Sequence, residues 1–128
     1  KAAPPSTLPL EEFRALLVAL STLVTMHPSS KAWDTSVLPR VRAAVMGRVE
    51  RMRDEEVKSL DRDQILRCIC EPFVGLIATK VTPREIEDTR EELLLLFYRR
   101  RLQSPFLEKR LKALTDIKAV IDRVGVIY

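Results

Sequence analysis

The sequence contains few of the residues that build catalytic and metal sites. Its 128 residues include one histidine, two cysteines and three glycines, and only 5% of them are aromatic. A structural zinc site needs four cysteine or histidine ligands in paired spacing, and a phosphate-binding loop needs a run of glycines. Scarce glycine and aromatic residues also favour aliphatic helices over a β-architecture. We therefore predict a helical chain that binds no metal and no cofactor.

We interpret the single histidine and the two cysteines as structural residues. His27 precedes Pro28 at a predicted helix end, where a cation interacts favourably with the helix dipole. Cys68 and Cys70 lie two residues apart in a helical pattern, so they project about 200° apart and should not form a disulfide. Nothing around Cys70 supplies the oxyanion site that a cysteine nucleophile uses. The prediction is a chain with no catalytic residue, which is not an enzyme by itself.

Long apolar runs are also missing. The longest apolar region, Leu10 to Met26, is interrupted near its start by Glu11, Glu12 and Arg14, whereas about 20 apolar residues are needed to cross a bilayer. The first residues lack the pattern of a signal peptide, and unpaired cysteines suit a reducing compartment. We therefore expect no membrane association and an intracellular protein, in the cytoplasm rather than the nucleus.

The chain is rich, by contrast, in signals that start helices. The sequence TPRE, from Thr82 to Glu85, places a hydroxyl at the N-cap, a proline at the first helical position and a carboxylate at the third. Thr82 and Glu85 can therefore form a capping box. Ser104 and Pro105 repeat the hydroxyl–proline pair 22 residues later. These signals predict a helical hairpin, with one helix over 83–103 and the next over 105–124.

Similar signals divide the rest of the chain. They predict a flexible leader over 1–7, a helix from Leu8 to His27, a second helix capped by Ser36, a helical turn over 54–60, and a third long helix opened at Asp61 by the capping-box sequence DRDQ. One helix pair, from the start at 61 to the next start at 104, takes up 43 residues, which is within the roughly 40–47-residue period of armadillo and HEAT repeats.

The predicted fold class is therefore all-α, an armadillo/HEAT-like array of about five antiparallel helices. These helices form a single domain over 8–128. A closed five-helix bundle is the alternative, because periodicity does not separate the two. Since the chain starts with Lys1 rather than methionine, we expect it to be a segment of a longer protein.

Three local features lead to further predictions. Gly47 lies in the middle of the second helix, where a glycine often permits the close approach of a neighbouring helix. Pro72 and Gly75 predict a kink in the third long helix. The last helix carries its large apolar residues on one stripe, which consists of Leu107, Leu111, Leu114, Ile117, Ile121 and Val124.

The clearest candidate surface is basic. Arg99, Arg100 and Arg101 end the fourth predicted helix, and further basic residues follow in the next one. Their simplest role is to remain solvated and to complement the helix dipole. A protein-binding surface is the first alternative. Nucleic acid is a less favoured partner, because the net charge is only +4 and no aromatic residues interleave as stacking platforms. The candidate partner-binding residues are Arg99, Arg100, Lys109, Arg110 and Lys112.

Residues 93–124 resemble a segment in the long N-terminal helical region of the large fat facets-type ubiquitin-specific proteases. That segment has an aliphatic-basic helix ending in an Arg-Leu-Leu-Gln-like run, then a serine–phenylalanine turn, then a lysine-rich helix. The similar stretches here are RLQ at 101–103, Ser104 with Phe106, and KALTDIK at 112–118. In the preceding part, VLP at 37–39 and RDEEV at 53–57 look like that region's helix start and turn. The resemblance covers residues 37–124, and residues 1–36 match nothing in it.

The resemblance implies a non-catalytic, armadillo-like scaffold segment of a deubiquitinase. In that family the catalytic cysteine and histidine boxes lie in a separate domain far downstream. Neither box occurs here, so Cys68 and Cys70 receive no catalytic role. The implied partners are protein substrates or adaptors, and ubiquitin is bound by the parent's catalytic domain. The alternative function is a small basic helical domain that binds nucleic acid or forms oligomers.

Overall fold

The computed structural model of the chain describes residues 8–27 and 31–124, and every regular element in these ranges is helical. This confirms the all-α fold class. The predicted leader at 1–7 lies outside the described residues. The α-helices are α1 (Leu10–Met26), α2 (Leu38–Glu50), α3 (Asp54–Ser59), α4 (Arg62–Ile65), α5 (Glu71–Ile77), α6 (Pro83–Leu102) and α7 (Leu107–Val124).

Two π-helical turns connect shorter helices into longer continuous ones. Trp33–Val37 precedes α2, and Leu66–Cys70 joins α4 to α5. A proline follows each turn at the second position, Pro39 in the first case and Pro72 in the other. Proline lacks an N–H and its ring crowds the preceding turn, and a π turn is one way in which a helix accommodates such a disturbance. The irregularity predicted at Pro72 therefore takes the form of a π turn just before it.

The second helix begins earlier than predicted. Residues 31–50 are helical throughout, so Ser36 is an exposed residue inside the helix and the prediction that it is the N-cap was wrong. The reason is that the π turn carries the helix through Pro39. Gly47 was expected to permit the close approach of another helix, and the three atoms nearest to an added Cβ there all belong to Arg51. A Cβ atom added to it would lie 2.1 Å from Nη1 of Arg51, so this arginine side chain packs over the glycine.

Both predicted capping boxes are present. Asp61 Oδ1 accepts the N–H of Gln64 at 2.9 Å, and Gln64 Oε1 accepts the N–H of Asp61 at 2.9 Å. Thr82 and Glu85 exchange the equivalent bonds at 3.2 and 3.4 Å. These two boxes satisfy backbone donors that would otherwise be unpaired at the starts of α4 and α6.

The prediction that Ser104 is the N-cap of the last helix was wrong, although its Oγ accepts the N–H of Phe106 at 3.4 Å. Ser104 is buried, and α7 begins three residues later at Leu107. The backbone N–H of Ser104 donates to the carbonyl of Arg101 at 3.0 Å, and its own carbonyl accepts from Arg110 at 2.9 Å. Ser104 therefore completes the end of α6, and the carbonyl of Phe106 accepts the first backbone bonds of α7.

The packing is centred on α6. This helix contacts α2, the continuous helix over 62–77, and α7, whereas α1 packs on the π turn Leu66–Cys70 and on α5. The side chains at the contacts form one hydrophobic cluster that includes Phe13, Phe73 and Phe97. These contacts are compatible with an array or with a bundle of helices.

Candidate functional site

Two of the five candidate partner-binding residues, Arg100 and Arg110, make hydrogen bonds within the protein. Arg100 donates to the carbonyl oxygen of Met52 and to Oδ1 of Asp54, each at 2.7 Å. Arg110 donates to the carbonyl of Ser104 at 2.9 Å. Both guanidinium groups thereby stabilise segments of the chain that follow helix ends.

The other three candidates are Arg99, Lys109 and Lys112. Arg99 and Lys112 are exposed and Lys109 is half-buried, and their side chains make no hydrogen bond or ion pair within the part of the chain that the structure describes. Their role in partner binding stays a prediction. The neighbouring Arg101 is fully buried, so the expectation of a solvated role was wrong for this third arginine of the run.

Cys68 and Cys70 are buried, free thiols, which confirms that they are core residues and do not pair. Burial raises the pKa of Cys70 to about 12. Burial also raises the pKa of Cys68, whose thiol donates to Oε1 of Glu11 at 3.6 Å. Because the thiolate is the reactive form, both side chains are poor nucleophiles at neutral pH.

His27 is an exposed residue at the end of α1. Its backbone N–H donates to the carbonyls of Leu23 and Val24 at 3.1 and 3.2 Å. Over residues 8–27 and 31–124, no three histidine, cysteine or carboxylate side chains are grouped so that they could hold a metal ion.

The last helix, α7, turns its most apolar stripe towards solvent. Four residues of the predicted stripe are at least half exposed, namely Leu107, Leu111, Leu114 and Ile121, whereas Ile117 is partly buried and packs against the core. An amphipathic helix normally packs such a stripe against a core. The side chains of α7 that pack in the core are Ala113, Ile117 and Val120, whereas Asp116 and Arg123 form ion pairs with α6.

A second uncovered apolar surface lies between α1 and α2. It is a hollow of about 340 Å³ lined by aliphatic and aromatic side chains, with Arg40 as the charged residue among them. α1 packs on the helix over 62–77 and α2 packs on α6, so the space between α1 and α2 is left open. Among the lining residues are Leu16, Leu17 and Leu20 of α1 and Val41 and Ala44 of α2.

One helical turn beyond Ala44 on α2, and towards the start of α1, lies a basic hollow of about 540 Å³, which residues 53–68 also line. Four arginines line it, and its two carboxylates are already paired. Arg48 bonds to Glu56, with one N–O distance of 2.7 Å, and Arg67 bonds to Glu11 at 2.9 Å. The other two arginines, Arg51 and Arg53, are exposed and have no ion pair among the described residues. We call the apolar and basic hollows together the α1–α2 cleft.

Sequence reasoning did not identify this cleft. Arg48, Arg51 and Arg53 lie within six residues and could have been noted as a basic cluster at the end of α2. Their common direction depends on where α1 crosses α2, and helical periodicity within one segment contains no information about that crossing.

No protein family, curated protein or solved structure matches this chain. Within the described ranges, none of the helices combines the length and the apolar character needed to cross a membrane.

Proposed function

We propose that this chain is a non-catalytic helical scaffold segment that works through protein contacts. The observation that carries the proposal is the solvent-facing stripe of α7, which includes Leu111 and Leu114. In helical arrays each repeat buries its apolar surface against its neighbours, so an uncovered stripe is expected where a further helix of the same scaffold packs. We assign the α7 stripe to that contact.

The parent protein in this proposal is a deubiquitinase. The resemblance of residues 37–124 to the helical region of fat facets-type proteases supports it. The scaffold presents protein substrates or adaptors, and a separate cysteine-protease domain binds ubiquitin and hydrolyses the ubiquitin-linked bond. The proposal places this protein in the cytoplasm. The first test is the complete reading frame, which should continue into a cysteine box and a histidine box. A frame that ended near Tyr128 would remove the parent-protease part of the proposal.

The scaffold contact is tested by comparing this chain with a longer one that includes the residues following Tyr128 in the parent. The double variant Leu111→Glu with Leu114→Glu should destabilise the longer protein and leave the 128-residue chain nearly unchanged. Ala119→Glu, at an exposed position of the same helix outside the stripe, is the matched control. Equal effects of the double variant on the two lengths would show that no further helix covers the stripe.

The same stripe also favours one alternative, a self-associating helical domain. In that case two copies bury their α7 stripes against each other, and sedimentation of the 128-residue chain should give a dimer that the double variant converts to a monomer. A monomer at all accessible concentrations argues against self-association. Nucleic-acid binding has less support, because Arg100 and Arg110 are engaged within the chain.

A further inference from the structure

We infer that the α1–α2 cleft binds an acidic, amphipathic helical segment of a partner protein. The inference does not depend on the parent protease, and it concerns a different surface from the α7 stripe. It rests on two properties of the cleft, namely an open apolar half and a basic half in which Arg51 and Arg53 have no ion pair among the described residues.

The apolar half is open although its walls belong to the core. Phe13 and Leu17 are buried at its base, whereas Leu16 remains 39% exposed at its edge. Side chains of an incoming helix can therefore contact the aliphatic wall without displacing a residue of this chain. Amphipathic helices bind such grooves through apolar residues spaced at three and four positions.

The basic half of the cleft indicates that the bound helix carries acidic residues next to its apolar ones. Both carboxylates that line it already have arginine partners, so an incoming acidic side chain meets Arg51 and Arg53 without a competing acid. Arg40 at the apolar half is also exposed and unpaired within the described chain. Guanidinium groups bind carboxylates through two parallel hydrogen bonds, which favours glutamate or aspartate at these places.

The dimensions suit a short helix. From Val37 to Arg51 the rise of the helix is about 20 Å, which corresponds to roughly 14 residues or four turns of an occupant. Its apolar residues would lie beside Leu16, Val41 and Ala44, and its carboxylates one to two turns away beside Arg51 and Arg53. A nucleic-acid backbone supplies the negative charge but no aliphatic side chains for the apolar half.

The inference is tested with a synthetic peptide of about 15 residues. It carries leucines at i, i+3, i+4 and i+7 in one half and glutamates in the other, and a second peptide has glutamine in place of each glutamate. Binding to the ¹⁵N-labelled 128-residue chain is followed by amide chemical shifts. The glutamate peptide should shift amides around Leu16, Ala44 and Arg51, and it should bind about tenfold more tightly than the glutamine peptide.

Two variants test the apolar half and the basic half of the cleft separately. Leu16→Gln should weaken binding about tenfold, and so should Arg51→Glu combined with Arg53→Glu. The matched controls lie outside the cleft. Leu95→Gln changes a leucine with the same 39% exposure, and Arg84→Glu reverses an exposed arginine that has no ion pair among the described residues, so both should change binding less than about twofold.

Several outcomes would overturn the inference. Equal binding of the two peptides excludes recognition of acidic side chains, and equal effects of the cleft variants and their controls exclude the cleft as the site. Shifts of the same amides by phosphatidylserine vesicles or by a single-stranded oligonucleotide, at concentrations where the peptide has no effect, would assign the surface to another anionic partner.

Discussion

The guanidinium of Arg101 lies 3.3 Å from the carboxylate of Asp116, and this contact joins the end of α6 to the middle of α7. Arg101 is fully buried, donates to the carbonyl of Leu60 at 3.0 Å and lies 4.3 Å from the ring centre of Phe97. Nε of Arg101 has no hydrogen-bond partner among the described residues. The carboxylate of Asp116 is therefore the counter-charge of a buried cation.

We predict that Asp116→Asn lowers the free energy of unfolding by about 3 kcal/mol, because it leaves the buried guanidinium without its counter-charge. Arg101→Met should cost less, since no buried charge remains to be compensated. Both values are measured by urea denaturation. The control is Asp122→Asn, which removes a surface partner of Lys118 and should cost less than about 1 kcal/mol. Equal losses for the two aspartate variants would contradict the buried-pair explanation.

The same contact explains why the sequence predicted α7 only in part. Its existence followed from helical periodicity, and the six apolar residues between Leu107 and Val124 were predicted to form one stripe, of which Leu111 and Leu114 are exposed and Ile117 packs against the core. Helical periodicity predicts that the most apolar face of a helix is buried. In the structure, however, the face that carries Ala113 and Asp116 is the one that packs against the rest of the protein. A small residue permits close approach to α6, and the pairing of an aspartate depends on an arginine in another helix. A single helical pattern does not reveal either condition.

A second prediction concerns the pKa of Glu11. Arg67 donates to its carboxylate at 2.9 Å, and this hydrogen bond holds the pKa of Glu11 below its ordinary value of 4.5. Arg67→Gln should raise that pKa towards 4.5, as measured by NMR titration of the carboxyl carbon. Because the folded-state pKa is depressed, the pair stabilises the protein above about pH 4.5, and this contribution is lost as pH falls through the folded-state value. An unchanged pKa in the variant would show that the arginine does not act on Glu11 in solution.

A third prediction concerns the buried thiols. With its pKa raised to about 12, Cys70 should react very slowly with a disulfide reagent at pH 8 in the native protein and rapidly in guanidinium chloride. The raised pKa also affects stability. An unfolded chain ionises this thiol near pH 9 while the folded protein keeps it protonated, so its stabilising contribution decreases as pH rises from about 9 to 12.

The control for the pH effect is Cys70→Ala. This variant should be less stable at neutral pH, because it leaves a small cavity, but its stability should fall less steeply above pH 9. Fast labelling of Cys70 in native buffer, with no change on adding denaturant, would be inconsistent with its burial.

Local and long-range features differed in how well the sequence predicted them. The capping boxes at Asp61 and Thr82 were correct because each depends on residues three positions apart. The start of α2 was wrong because the π turn before Pro39 changes the hydrogen bonding of the whole segment. The α1–α2 cleft was not predicted at all, since Arg51 and Leu16 become neighbours of one groove only through tertiary packing.

A fourth prediction concerns the glycine beneath Arg51. Gly47→Ala should raise the free energy of unfolding by about 0.5–1 kcal/mol, because alanine is the better helix former and the obstructing atoms belong to the flexible end of Arg51. Gly75→Ala is the control, since an added Cβ there meets, among the described residues, no atom within 4 Å outside its chain neighbours and the backbone of its own helix. In an Arg51→Ala background, where nothing needs to move, Gly47→Ala should gain as much as Gly75→Ala. Urea denaturation of the four variants measures these changes in the free energy of unfolding. If Gly47→Ala lowered the stability in the Arg51→Ala background, the backbone at Gly47 would require glycine for a reason other than the arginine.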